Sequence, residues 1–181
     1  VRDYGDADGD GFLKYLRSCH SGLANQGWKD SGDAIQFSDG RLAEPPIALC
    51  EVQGYACDAA RRGAELLDHF GRSGSDEWRD WGDAIEKKFR DAFWVADEDG
   101  PYPAMALDGD KKPVDAVASN MGHLLACGIL NAEESDLVAK RLIGRAPKLG
   151  WGLRPLVPTP RPSDPPPSPP WPTRPPAPAT P

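Results

Sequence analysis

Fourteen of the 27 residues from Pro155 to Pro181 are proline. Each proline lacks a backbone N–H, has its φ locked, and steers the preceding residue out of the helical region. Neither a helix nor a paired strand can run through such a stretch. The sequence therefore predicts a folded domain over residues 1–154 and a disordered Pro-rich tail over 155–181. The tail also contains no Gly, Lys, Glu or Ile, the restricted alphabet that a GC-rich gene read out of frame yields. A competing reading is a polyproline linker that docks SH3- or WW-like domains, which would make the chain an interaction protein acting through its tail.

For the remainder, composition excludes more than it proposes. Hydrophobic residues make up 39% and charged residues 27%, values of an ordinary globular chain. No apolar run approaches the roughly 20 residues of a membrane helix, so no membrane partner is expected. The net charge is −7, and Arg161, Arg174 and Asp164 give the tail a small positive share, which leaves the domain acidic. Nucleic acid is thereby disfavoured as a partner, whereas a neutral polymer needs no charge complement. Cys19, Cys50, Cys57 and Cys127 lack metal-ligand spacing and read as buried free thiols. The opening Val1-Arg2-Asp3 carries no apolar leader, so a cytoplasmic location is expected.

Apolar periodicity predicts an all-α chain of five helices. Phe12, Leu16, Cys19 and Leu23 form the stripe of a first helix that ends at Asn25. A second runs from about Pro46 to Phe70, with a small-residue middle (Gly54, Ala56, Ala59, Ala60) that admits a close neighbour. Trp78, Trp81, Ile85, Phe89 and Phe93 mark a third, and their helical spacing suits core better than a ligand platform. The period breaks between Trp94 and Val117, where Asp108-Gly109-Asp110 predicts the turn of a short hairpin. A fourth helix spans about Asn120 to Leu130. The last opens with Asn131 as N-cap and Glu134 three residues on, turns Leu137, Val138, Leu142 and Ile143 inward, and stops at Gly144.

The segment Asn25-Gln26-Gly27-Trp28-Lys29-Asp30-Ser31-Gly32-Asp33 sets an aromatic plate, amides and two carboxylates within nine residues. Tryptophan stacks on the C–H face of a pyranose, amides bridge hydroxyls, and a carboxyl group beside apolar surface can retain its proton and act as an acid. By itself such a stretch is also an ordinary polar loop, and Asp33 suits the N-cap of a short turn. The run Asn25 to Ser31, with Asp39-Gly40 and the block Pro46-Ile47-Ala48-Leu49-Cys50-Glu51-Val52-Gln53-Gly54-Tyr55, resembles bacterial amylo-α-1,6-glucosidases. These are the glycogen-debranching-type members of the six-hairpin glycosidases.

That resemblance implies a partial (α/α)6 toroid, about five of its twelve helices, and inverting acid/base hydrolysis of an α-glucan or oligosaccharide. It implies Asp30 as the general acid, with Trp28 and Lys29 shaping the pocket and Asn25 and Gln26 as hydroxyl partners. Glu51 and Gln53 fall on a Glu-x-Asn pattern implied to contact sugar, with Gln in place of Asn. Ser119-Asn120-Met121-Gly122-His123 and Gly150-Trp151-Gly152 look like later loops of the pocket mouth, which makes Asn120, His123 and Trp151 further candidates. No cofactor is implied. The match covers about residues 3–154, and the segment that would carry the base does not follow Arg154. The expectation is therefore an inactive fragment, or a glucan-binding remnant, whose uncovered helix faces favour self-association.

Asp6-Ala7-Asp8-Gly9-Asp10-Gly11 matches the first half of a calcium loop, but its twelfth position is Arg17 where a bidentate Glu is needed. A helix-entry turn is the preferred reading. Calcium on Asp6, Asp8 and Asp10 is the weaker one.

Overall fold

The structure is a computed structural model that describes residues 2–17, 23, 25–29 and 31–145. A four-residue helix, α1 (Arg2–Gly5), leads into extended chain, and the short strand β1 (Ala48–Leu49) runs directly into α2 (Cys50–His69). Then follow α3 (Ser75–Phe93), strands β2 (Trp94–Asp97), β3 (Gly100–Pro103), β4 (Ala106–Leu107) and β5 (Pro113–Val114), a 3-10 helix (Ser119–Ala126), and α4 (Ala132–Arg145). No described helix is long and apolar enough to cross a membrane.

The chain is mainly helical, but it is not all-α. β2 and β3 pair as an antiparallel hairpin, and β1, β4 and β5 form an antiparallel sheet with β4 in the centre. The expected turn at Asp108 joins β4 to β5: its Oδ1 accepts from the Asp110 and Lys112 amides, at 3.0 and 2.8 Å. The sheet also shortens the second helix at its start. Ile47 exchanges both backbone hydrogen bonds with Tyr15 at 3.0 Å, and the Cys50 amide donates to the Met105 carbonyl, so the helix opens at Cys50 and not at Pro46.

The first predicted helix is absent over residues 12–17, and residues 18–22 lie outside the described residues. Its amides are committed elsewhere. Leu13 N–H donates to Gln53 Oε1 at 2.9 Å, Lys14 N–H to the Gly5 carbonyl at 2.8 Å, and Tyr15 N–H to Ile47. An α-helix needs those same donors for carbonyls four residues back. Phe12 and Leu13 are buried, as the stripe predicted, while Leu16 and Leu23 are exposed.

α2 and α3 form an antiparallel pair joined by five residues. Gly82 permits the approach: a methyl group there would lie 3.4 Å from Ala60 Cβ and 3.5 Å from the Cys57 carbonyl oxygen. Arg61 on α2 binds Asp83 and Glu86 on α3, and Arg90 on α3 reaches Glu134 on α4 at 2.8 Å. Phe89 and Phe93 stack at 4.6 Å, and Phe12 meets Phe93 edge-on at 5.3 Å, in the centre of the core. The fourth predicted helix is instead the 3-10 segment, which packs on Gly54. α4 has the predicted capping box: Asn131 Oδ1 accepts from the Glu134 amide at 2.9 Å, and Glu134 Oε2 from the Asn131 amide at 2.7 Å. Val138 and Leu142 face inward, but Leu137 and Ile143 face out. Cys50, Cys57 and Cys127 are buried free thiols, while Cys19 and the whole tail lie outside the described residues.

A groove of about 440 Å³ opens between α2 and α3, lined by Val52, Tyr55, Ala59, Gly63, Trp78 and Trp81. Trp81 is partly buried and packs against the core, as its spacing predicts, while Trp78 is exposed at the groove's edge.

Gln53 is fully buried, and it holds both backbone groups of Leu13 and the Leu49 carbonyl. Gln53→Leu strands those groups, at about 1–3 kcal/mol each when a buried polar group loses its partner. Urea denaturation should show a loss of at least about 3 kcal/mol, the lower end of that arithmetic for three groups. Leu16→Ala, on exposed chain, should change stability by no more than ~0.5 kcal/mol.

Candidate functional site

The loop that follows the extended segment is organised by Asn25. Its Oδ1 accepts from the Tyr15 hydroxyl at 2.6 Å and the Gly27 amide at 3.2 Å, and its Nδ2 donates to the carbonyls of Lys29 and Ser31. Both lone pairs and both donors of the amide are thereby used. Asn25, expected as a sugar-hydroxyl partner, is instead the staple of its own loop. Gly27 lets that loop settle on β1, because a methyl group there would sit 2.6 Å from Leu49 Cδ1.

The staple leaves Trp28 54% exposed, with its ring 5.3 Å from that of His123 on the 3-10 helix. Tyr55 on α2 places its hydroxyl 2.6 Å from His123 Nδ1. Lys29 turns inward, half-buried, and donates to Asn120 Oδ1 at 2.5 Å, while its ammonium remains 5.2 Å from the Trp28 ring centre. Asn120 Nδ2 donates to Glu51 Oε1 at 2.8 Å, and the Cys50 thiol donates to Glu51 Oε2 at 3.4 Å. Trp28, Lys29, Glu51, Asn120 and His123 therefore meet in one place, contributed by a loop, the first turn of α2 and the 3-10 helix.

Other candidates do not join them. Gln53 faces Leu13, as described, and its burial forbids contact with a ligand. Gln26 faces a different cleft, beside Tyr4, Tyr15 and Pro46. Asp30 and Trp151 lie outside the described residues. Tyr55 is the member of the cluster that sequence reasoning missed as a site residue. A signal existed, since Tyr55 follows Glu51 by four positions and so shares its helix face.

Electrostatics separate the outer part of the cluster from the inner. Burial pushes the Glu51 carboxyl up, opposed by hydrogen bonds from its own amide and from Asn120. Burial brings the Lys29 ammonium down to about 8, with the Glu51 charge opposing that fall. Burial carries the Cys50 thiol well above its ordinary value, and Glu51 adds to that. Glu51 is only 1% exposed, so its carboxylate cannot reach a ligand, whereas the Trp28 face and the Tyr55–His123 pair can. An aromatic plate bordered by a hydroxyl, an imidazole and an ammonium is suited to a polyhydroxylated ring.

The calcium alternative meets two lysines. Carboxylate oxygens of Asp6, Asp8 and Asp10 lie within 4.8 Å of one another. Lys14 and Lys111 both place their ammonium groups on Asp8 and Asp10. The hydrogen bond from Lys111, then that from Lys14, holds the Asp8 carboxyl far below its usual range. Asp6 Oδ2 accepts from Gly11 N–H, and Asp10 Oδ1, already on Lys14, also accepts from Phe12 N–H, both at 2.9 Å, while Asp6 Oδ1 makes no hydrogen bond and lies 3.9 Å from the Lys14 ammonium. A divalent ion would have to displace two cations already in place, so the donor set does not fit calcium. Millimolar calcium should leave the melting temperature unchanged in a thermal scan, and a rise of several degrees would contradict this assignment.

No protein-family model matches this chain, and no curated protein matches it in sequence.

Proposed function

We propose that this chain is part of a glycoside hydrolase of α-glucan metabolism, of the amylo-α-1,6-glucosidase type, acting in the cytoplasm by inverting acid/base hydrolysis. In this reading the helices belong to a partial (α/α)6 toroid, and the α2–α3 groove is a face through which the fragment self-associates. The observation that carries the reading is the exposed Trp28 plate set against His123 and the Lys29 ammonium, one residue from Asp30. Trp28 stacks on a glucose ring, Tyr55 and His123 bind its hydroxyls, and Asp30 protonates the leaving oxygen.

A second reading, glucan binding without turnover, is favoured by the state of Glu51. Inversion requires a second carboxylate about 6.5–9.5 Å from the acid, with a water between them. Glu51 is sealed from water by burial and held by Asn120 and Cys50, so it cannot serve.

Calorimetry with glycogen, together with glucose release, distinguishes these readings. Trp28→Ala should weaken binding by about tenfold, the loss of roughly 1.4 kcal/mol of stacking. Binding with no glucose release from wild type would select the second reading. Glucose release abolished by Asp30→Asn would select the first, and an absence of binding in wild type would overturn both.

A further inference from the structure

The Glu51 carboxylate is a buried charge that the proposed chemistry leaves without a task. No ligand reaches it, yet burying a carboxylate is costly unless its partners hold it. Its partner Asn120 is itself 1% exposed, and it joins Glu51 to Lys29: Nδ2 donates at 2.8 Å on one side, and Oδ1 accepts at 2.5 Å on the other.

One orientation of this amide satisfies both neighbours. An ionised carboxylate only accepts and an ammonium only donates. Nδ2 must therefore face Glu51, which turns Oδ1 toward Lys29. The flipped amide would set oxygen against oxygen and N–H against N–H. We propose that Glu51 is a positioning residue: through Asn120 it places the Lys29 ammonium beside the Trp28 ring, at the floor of the ligand face. The identification of that face as glucan-binding rests on the preceding section, whereas the Glu51–Asn120–Lys29 connection operates in the free protein.

The groups facing this connection come from each neighbouring element. α2 contributes Glu51, Cys50 and Tyr55, the 3-10 helix contributes His123, and the extended segment contributes Tyr15. Burial pushes the Cys50 thiol and both tyrosine hydroxyls up, Tyr15 to about 12, so all three are neutral where Lys29 titrates. Glu51 thus acts on Lys29 as an anion in that range. A glutamine at position 51 removes the charge and can present either its oxygen or its nitrogen, so Asn120 loses its reason to point one way.

The test is NMR titration of protein carrying ¹³C-labelled lysine, with the Lys29 signal assigned by its loss in Lys29→Gln. Wild type should give a Lys29 midpoint near about 8. Glu51→Gln should lower it by about one pH unit, a tenfold loss of proton affinity. A purely structural role for Glu51 would lower the melting temperature and leave that midpoint where it was, and an unmoved midpoint overturns the proposal. Should Glu51→Gln fail to fold, Asn120→Ser breaks the amide bridge while leaving the Glu51 charge in place, so a shifted Lys29 midpoint there reports lost positioning, and an unmoved midpoint overturns the proposal. Glycogen calorimetry on wild type and Glu51→Gln reports separately, with binding about tenfold weaker in the variant at pH 7. A shifted Lys29 midpoint in a protein that does not bind glycogen upholds the connection and removes the glucan reading alone.

Discussion

Two polar side chains, Glu51 and Gln53, are buried in the first turn of α2, and burial obliges each to find partners in protein instead of water. Those partners are far away in sequence. Gln53 takes the backbone of Leu13, 40 residues earlier, and Glu51 takes Asn120, 69 residues later. The same turn receives the strand exchange through the Cys50 amide and packs Gly54 against the 3-10 helix. The extended amino-terminal segment, the central sheet and the 3-10 helix are thus referenced to about five residues of one helix. Apolar contacts would tolerate small slips between these parts. Directional bonds from buried donors and acceptors do not, because each mispaired group costs on the order of 1–3 kcal/mol.

The candidate site inherits its precision from that turn. Trp28 lies on a loop, a poor place to hold an aromatic ring at a defined angle. Its position is over-determined by Asn25 inside the loop, by Gly27 against Leu49, and by Lys29 reaching back to Asn120. The layering is one of accessibility: exposed groups able to meet a ligand outside, buried groups that orient them inside. Several residues that look like ligand-binding equipment in the sequence therefore belong to the inner layer. A buried amide such as Asn25 or Gln53 is as polar as an exposed one, and its composition cannot say which neighbour it serves.

A similar economy operates at the acidic turn. Spacing of Asp6, Asp8 and Asp10 suggested a divalent ion, and the three carboxylates do converge. Lys14 follows Asp10 by four residues and was visible to sequence reasoning. Lys111 arrives from the β4–β5 turn, 101 residues beyond Asp10, and was not. The pair of ammoniums offsets two of the three carboxylate charges and ties that hairpin to the amino-terminal segment.

What the sequence determined by itself is local. The capping box of α4, the extent of α3, the Asp108 turn and the burial of Phe12, Phe89 and Phe93 all follow from interactions within a few residues, or from hydrophobicity alone. The convergence of Trp28, Lys29, Asn120 and His123 was legible only through the order of motif blocks. Tertiary structure decided what depends on competition for the same backbone groups. The stripe Phe12–Leu16 is helical in period, but Gln53 and Ile47 offer its amides stronger claims than its own carbonyls do. It also decided which polar residues face outward, since a side chain's access to solvent is a property of the surfaces laid over it, and those surfaces come from distant parts of the chain.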